Sequence, residues 1–206
     1  MAEGIDLFEA IDTQRAIRYF RPDPVPDELI TRLLQAAIKG PSGGIRQGWG
    51  FIVIRDPEIR RKIGDLYRTG STFEIRPDMT AQERRVYTAA QHLEDHMDEV
   101  PVLILACIQA VPGATVSGGS IFPAVQNILL AARGLGLGSA LTTRQTRFEA
   151  EIKSMLDIPE DVMTAALLPV GFPADGSRYG PTRRRPLEEV AFSDRWGRGW
   201  QDDTSA

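Results

Sequence analysis

The residues best suited to chemistry are arginines and small residues in short, fixed patterns. Arg15 and Arg18 bracket an apolar pair in the string Gln14-Arg15-Ala16-Ile17-Arg18-Tyr19-Phe20, and Arg183-Arg184-Arg185-Pro186 puts three cations in a row far along the chain. A guanidinium group grips phosphate or carboxylate through a forked pair of charge-assisted hydrogen bonds, which an ammonium group cannot reproduce. A solvated surface pair and an ordinary tail segment are the bland alternatives. Against the first, Arg15 and Arg18 sit at a predicted helix end beside Ile17 and Phe20, residues of a buried type. Between the two arginine groups lies GPSGGIRQGWGFIVI, residues 40–54. Gly40-Pro41 stops a helix, and Ser42, Gly43 and Gly44 then offer backbone N–H groups, a hydroxyl and little bulk. Such a loop is either a plain turn or a surface that can lie against a flat or anionic ligand.

Other candidates point to less. His92 and His96 share a face of a predicted helix, but the order H-L-E-D-H is not that of a zinc protease, and the chain holds no third histidine. No metal site is expected, and a charged solvent face explains that helix better. Cys107 lies in an apolar run and reads as a small core residue rather than a nucleophile. The string Gly134-Leu135-Gly136-Leu137-Gly138 lacks both the spacing and the preceding strand of a dinucleotide fingerprint.

The elements that must position these residues follow from periodicity. A short helix over residues 5–12 puts Leu7, Phe8 and Ile11 on one face. A second begins near Pro26, with acidic residues in its first turn and a stripe from Leu29 to Ile38. Residues 51–54 predict a buried strand, and Asp56-Pro57-Glu58 starts a helix with Ile59, Ile63 and Leu66 inward. Residues 68–79 read as a polar, mobile excursion. Thr80 and Glu83 form a capping box opening a helix to about residue 98, and Thr146 with Glu149 form a second box opening a helix to about residue 156. Residues 102–108 and 164–172 predict further strands, with a loop at 112–119. Residues 120–135 are apolar nearly all round, which predicts a helix buried on every side by its own fold or by a partner subunit.

Composition narrows the class. The chain has 206 residues, 42% hydrophobic, with a formal net charge of -4. That suffices for one sizeable core, and residues 1–206 are expected to form a single domain. The acidic balance argues against nucleic-acid binding, and no apolar run is long enough to span a bilayer. One cysteine excludes an intrachain disulfide, and the early acidic N-terminus lacks an export signal; a cytoplasmic protein is expected.

Taken together, the pieces resemble the nitroreductase family of FMN-dependent oxidoreductases. The resemblance rests on Arg15-Ala16-Ile17-Arg18, on Pro41-Ser42-Gly43-Gly44-Ile45-Arg46-Gln47-Gly48-Trp49, on the apolar helix ending in a Gly-Leu-Gly turn, and on Arg184-Arg185-Pro186. It runs from about residue 8 to 196, and it is the order and spacing of the motifs together that are specific. It implies an α+β fold, a central mainly antiparallel sheet flanked by helices, in an intertwined homodimer with FMN at the subunit interface. Arg15 and Arg184, helped by Arg183, would hold the FMN phosphate, and Arg18 would face the pyrimidine edge of the flavin. Pro41, Ser42 and Gly43 would come from the partner chain, and the backbone at Leu141, Thr142 and Thr143 would approach the flavin N5 side. Three positions depart from the pattern: Ala16 stands for serine, Ile45 for asparagine and Gly48 for proline. Ala16, Ile45 and Gln47 stay in the cofactor-binding set, with Arg46 a possible substitute donor for Ile45. The resemblance implies hydride transfer from NADH or NADPH to a small organic acceptor such as a nitroaromatic or quinone, by a ping-pong mechanism. The flavin would carry the chemistry, with no catalytic side chain required, and residues 68–79 and Arg144 would tune the acceptor. A flavin-binding or storage protein with little turnover, and a same-fold enzyme of other flavin chemistry (enone reduction, flavin breakdown), are the alternatives.

Overall fold

The computed structural model describes residues 5–71, 74–110 and 118–200. Its centre is a four-stranded antiparallel sheet built from β1 (Trp49–Ile54), β2 (Val102–Gln109), β3 (Gly138–Ser139) and β4 (Val162–Gly171), in the order β1-β2-β4-β3. The fold is α+β, as the family resemblance implies. The two long apolar runs take the middle of the sheet, where both faces are covered. Along β2 the side chains alternate with the strand period of two. Val102, Ile104, Ala106 and Ile108 join a core with α2 (Asp27–Ala37) and α5 (Gly118–Gly134). Leu103, Leu105 and Cys107 join a second core on the other face, with α3 (Pro57–Thr69), α4 (Ala81–Asp95) and α6 (Glu149–Met155). The remaining helix, α1 (Leu7–Thr13), is capped by the Asp6 carboxylate, which accepts from the Phe8 and Glu9 amides.

Three expectations need correction, and one is narrowed. The strand over residues 51–54 is not buried: β1 pairs only with β2, so it is an edge, and most of its side chains are half-covered. For the helix over 120–135, Phe122 and Gln126 face outward, so its own chain does not enclose it and the partner-subunit alternative is the one left. The segment 68–79 is less free than its composition suggests. Arg68 and Thr69 complete α3, the Gly70 carbonyl accepts from the Arg144 guanidinium, the Ser71 hydroxyl donates to Glu94, and Met79 is buried; residues 72–73 lie outside the described residues. So do residues 112–117 of the predicted loop at 112–119; Gly118 and Gly119 already belong to α5.

The last correction has a long-range cause. The Thr80–Glu83 capping box forms as predicted, with Glu83 accepting from the Thr80 amide at 2.8 Å. The Thr146–Glu149 box does not form. Residues 144–148 make a 3-10 turn instead, and α6 starts at Glu149. The pairing of β2 with β4 slips between Ala106 and Cys107, so Thr164 lies opposite Cys107. Glu149 caps that irregularity, accepting from the Thr164 amide at 2.8 Å and from its hydroxyl at 3.2 Å. A carboxylate held across the sheet cannot also reach back to cap its own helix.

Candidate active site: an arginine-lined cavity

Residues 13–21 leave α1 in an extended path and run beside residues 172–180, which leave β4. The Ala174 amide donates to the Tyr19 carbonyl at 3.0 Å, the Arg21 amide to the Phe172 carbonyl at 2.9 Å, and the Gly180 amide to the Thr13 carbonyl at 3.0 Å. This pairing brings the early and late arginines of the chain together. A cavity of about 1150 Å³ opens between the two segments and α4. Arg15, Ala16, Arg18, Arg183 and Arg184, all expected in the site, line it, and Arg85 of α4 and Arg178 join them.

The first segment is anchored from below. Ile17 is buried between Arg15 and Arg18, and its amide donates to the Ser139 carbonyl of β3 at 2.9 Å. Gly138 beside it has no room for a side chain, since an added Cβ would lie 2.7 Å from Ile17 Cγ2 and 2.9 Å from Ile17 Cβ. A second anchor is Arg133 at the end of α5. Its guanidinium donates to Thr13 Oγ1 at 2.7 Å and to Glu9 at 3.0 Å, and lies 4.4 Å from the centre of the Tyr179 ring. One half-buried cation thus ties both walls of the cavity to the core. Nothing in the sequence marks Arg133 apart from its place in the last turn of an apolar helix. Arg85 and Arg178 were equally hidden, since neither lies in a motif.

Six arginines face a single carboxylate, Asp175, across this cavity. Among the described residues, the side chains of Arg15, Arg18, Arg85 and Arg178 make no hydrogen bond or ion pair. Burial, with Arg15 nearby, holds the Arg18 guanidinium below its ordinary value. Arg183 donates to Gln82 Oε1 of α4 at 3.3 Å, linking the far wall to the near one. Cations packed in this way repel one another and are stabilised by an anion between them.

The other expected site residues lie elsewhere in this chain. Pro41, Ser42, Gly43, Ile45 and Gln47 do not line the cavity. Their loop rests on α5: the Gly43 amide donates to the Ser120 hydroxyl at 3.2 Å, and the Gln47 amide to the Ser42 hydroxyl at 2.7 Å. Ile45 and Gln47 both hold left-handed backbones, with φ of 57° and 50°. For a β-branched, largely exposed residue this is a strained choice. Asparagine tolerates that region, so Ile45→Asn is expected to stabilise the protein by about 1 kcal/mol. A differential scan checks this, and an unchanged or lower melting temperature would mean that the Ile45 side chain makes compensating contacts.

Leu141, Thr142 and Thr143 continue from β3 along β4, where Thr142 and Leu167 exchange backbone hydrogen bonds of 3.0 and 2.8 Å. The Thr142 hydroxyl accepts from the Arg144 amide at 3.2 Å and lies 3.4 Å from the Tyr67 hydroxyl. Behind it, Arg144 forms a buried ion pair with Glu94 of α4. Cys107 is buried and its thiol is pushed up to about 11 by burial, which leaves it unreactive at neutral pH. His92 stacks on Tyr19 at 4.1 Å and lies 4.3 Å from the His96 ring, and His96 pairs with Glu99 at 2.8 Å. No group of three or more metal-ligating side chains occurs among the described residues, and none of their helices is long and apolar enough to cross a membrane.

Residues 11–172 match the model of the nitroreductase family. A protein of Methanothermobacter thermautotrophicus named "Putative NADH dehydrogenase/NAD(P)H nitroreductase" is 34% identical over 178 residues, 83% of this chain and 79% of its own. The crystal structure of oxidized iodotyrosine deiodinase bound to FMN and 3-iodo-L-tyrosine superposes with a TM-score of 0.71 at 25% identity, over 92% of this chain and 99% of that one. The NADPH:FMN oxidoreductase of Vibrio harveyi, complexed with NAD+, shares the fold with a TM-score of 0.73 at 19% identity, over 92% of this chain and 77% of that one. A matched stretch that takes in all four strands, together with that degree of identity, places the chain in the nitroreductase family.

Proposed function

We propose that this protein is an FMN-dependent oxidoreductase that takes a hydride from NADH or NADPH and passes electrons to a small organic acceptor such as a nitroaromatic or quinone. The observation that carries this reading is the arginine-lined cavity, whose cations lack carboxylate partners and stand where the family pattern has its FMN arginines. A phosphate dianion supplies the missing charge and accepts forked hydrogen bonds, so the residues fit the cofactor. Arg15 and Arg184, with Arg183, hold the phosphate. Arg18, the more buried of the paired arginines, faces the pyrimidine edge. The backbone at Leu141–Thr143 lines the reactive side, kept in register by Tyr67 and by the Glu94–Arg144 pair behind it. When bound, the flavin supplies reversible two-electron chemistry; the protein supplies position, charge and exclusion of water.

The site is completed by a second copy of the chain, to which the loop of Pro41, Ser42 and Gly43 belongs. Support comes from the apolar side chains left uncovered. Leu7, Phe8 and Ile11 on α1, Phe122 on α5, and Leu187, Val190, Trp196 and Trp200 in the C-terminal segment are all exposed in the isolated chain. So much apolar surface marks an interface. We read residues 1–206 as one FMN-binding domain working in the cytoplasm, with no nucleic-acid partner.

FMN and assembly are therefore expected to be linked. Titrating the apoprotein with FMN under light scattering should give a dimer with one FMN per chain, and FMN should raise the melting temperature. A monomer retaining stoichiometric FMN would overturn the shared site. Because donor and acceptor use one flavin face in turn, double-reciprocal plots at several acceptor concentrations should be parallel. Intersecting lines would mean that both substrates bind together. A second reading, another flavin reaction on the same fold, is favoured by the likeness to iodotyrosine deiodinase. Nicotinamide oxidation without any halogenated substrate separates the two.

A further inference from the structure

We propose that the cavity contains a second anion site, formed by Arg85 and Arg178, which selects an aromatic acceptor carrying a carboxylate. This rests on the flavin reading above, and begins from what that reading leaves over. The phosphate and pyrimidine edge of FMN account for Arg15, Arg18, Arg183 and Arg184. Arg85 and Arg178 line the same cavity and have no side-chain partner among the described residues.

Several other arginines of the chain are neutralised locally. Arg21, Arg55, Arg61, Arg68, Arg133 and Arg144 are each paired with a carboxylate. The chain as a whole is acidic, with a formal net charge of -4. Positive charge concentrated in one cavity of an acidic protein, beyond what one phosphate neutralises, calls for a second anion. In the isolated chain the cavity measures about 1150 Å³, and Arg85 and Arg178 belong to its lining along with the four arginines assigned to FMN.

The surroundings of Arg85 give the rest of the ligand its character. Val86 and Ala89 of α4 line the same cavity, as does Tyr19, whose ring stacks on His92 of that helix. An apolar, partly aromatic wall next to a guanidinium suits a planar ring bearing an acid group. The site adds no step to the reaction: it selects which acceptor receives the electrons. For a nitro compound the first step is ArNO2 + NADH + H+ giving ArNO + NAD+ + H2O.

The test uses holoenzyme at saturating FMN and compares 4-nitrobenzoate with its methyl ester, which has the same ring and no charge. In the parent and in Arg85→Ala, Arg178→Ala and Arg85→Lys, kcat/KM is measured for both. Binding of non-reducible benzoate is followed separately by the perturbation of the flavin spectrum. Each alanine variant is expected to lose about tenfold in kcat/KM for the acid, mainly through KM, the size of one charge-assisted hydrogen bond. The ester should change by less than about twofold, benzoate binding should weaken in parallel, and Arg85→Lys should keep part of the preference. An acid-to-ester ratio equal in parent and variants would overturn the proposal. So would a loss confined to NADPH relative to NADH, which would assign the arginines to the donor's phosphate. Failure to bind FMN or to oxidise either nucleotide would instead refute the flavin reading.

Discussion

Replacing Arg18 by alanine is expected to lower the midpoint potential of the bound flavin by several tens of millivolts, while Arg184→Ala leaves the potential of the remaining flavin nearly unchanged. Both side chains line one cavity, but they differ in depth: Arg184 is exposed, and Arg18 is half-buried, with its guanidinium held below its ordinary value by burial and by Arg15. Two-electron reduction leaves negative charge near the pyrimidine edge, whereas the phosphate charge is the same in both states. A cation at the first position stabilises the reduced form selectively; one at the second stabilises both alike, and uniform binding moves no equilibrium. A unit charge about 4 Å away is worth about 4 kcal/mol at an effective dielectric of 20, before losses to water. Since about 1.4 kcal/mol corresponds to 30 mV for two electrons, a fraction of that energy suffices for the predicted shift. Arg184→Ala should instead weaken FMN retention. Potentiometric titration of both variants at saturating FMN decides the matter, and an Arg18→Ala potential equal to the parent's would place that arginine away from the pyrimidine edge.

Gly138→Ala is expected to cost about 1–3 kcal/mol of stability and to loosen FMN as well. The added methyl would lie 2.7 Å from Ile17 Cγ2 and 3.2 Å from Phe20, inside any ordinary contact. Neither neighbour can yield easily. Ile17 is buried, its amide is held by the Ser139 carbonyl, and Phe20 forms a bridge with Pro173. The segment must therefore move as a unit and carry Arg15 and Arg18 with it. Chemical denaturation and FMN dissociation should report the two losses together. Combining Gly138→Ala with Ile17→Ala should give less than the sum of the separate stability losses, because the clash and its cause are then both reduced. A Gly138→Ala protein with parental stability and FMN affinity would mean that β3 does not position the arginines.

What was legible in the sequence was what short-range pattern encodes. The continuous apolar runs of β2 and β4, the stripe of α2 and the Thr80–Glu83 box appear where run length, periodicity and capping rules put them. The paired arginines were legible because their chemistry is specific even before their positions are known. Features fixed by distant partners were not. Glu149 caps the irregularity at Thr164 rather than its own helix, and only the strand pairing reveals that need. Arg133 reaches Thr13, 120 residues away, and the Tyr179 ring. β3 spans two residues, too few to show any period, yet it anchors the segment that carries Arg15 and Arg18. The left-handed backbones of Ile45 and Gln47 run against residue preference, and no propensity argument predicts them. Arg85 and Arg178 lie in no motif, and only the placement of α4 beside the segment after β4 brings them to one cavity.

The central claim is that the arginine-lined cavity holds a flavin which nicotinamide reduces. Anaerobic mixing of the FMN-loaded dimer with NADH or NADPH tests it most directly. The flavin band near 450 nm should bleach within the turnover time, with about one equivalent of nucleotide consumed per flavin, and recover when a quinone is added. A fully loaded protein whose flavin spectrum neither nucleotide changes would contradict the account.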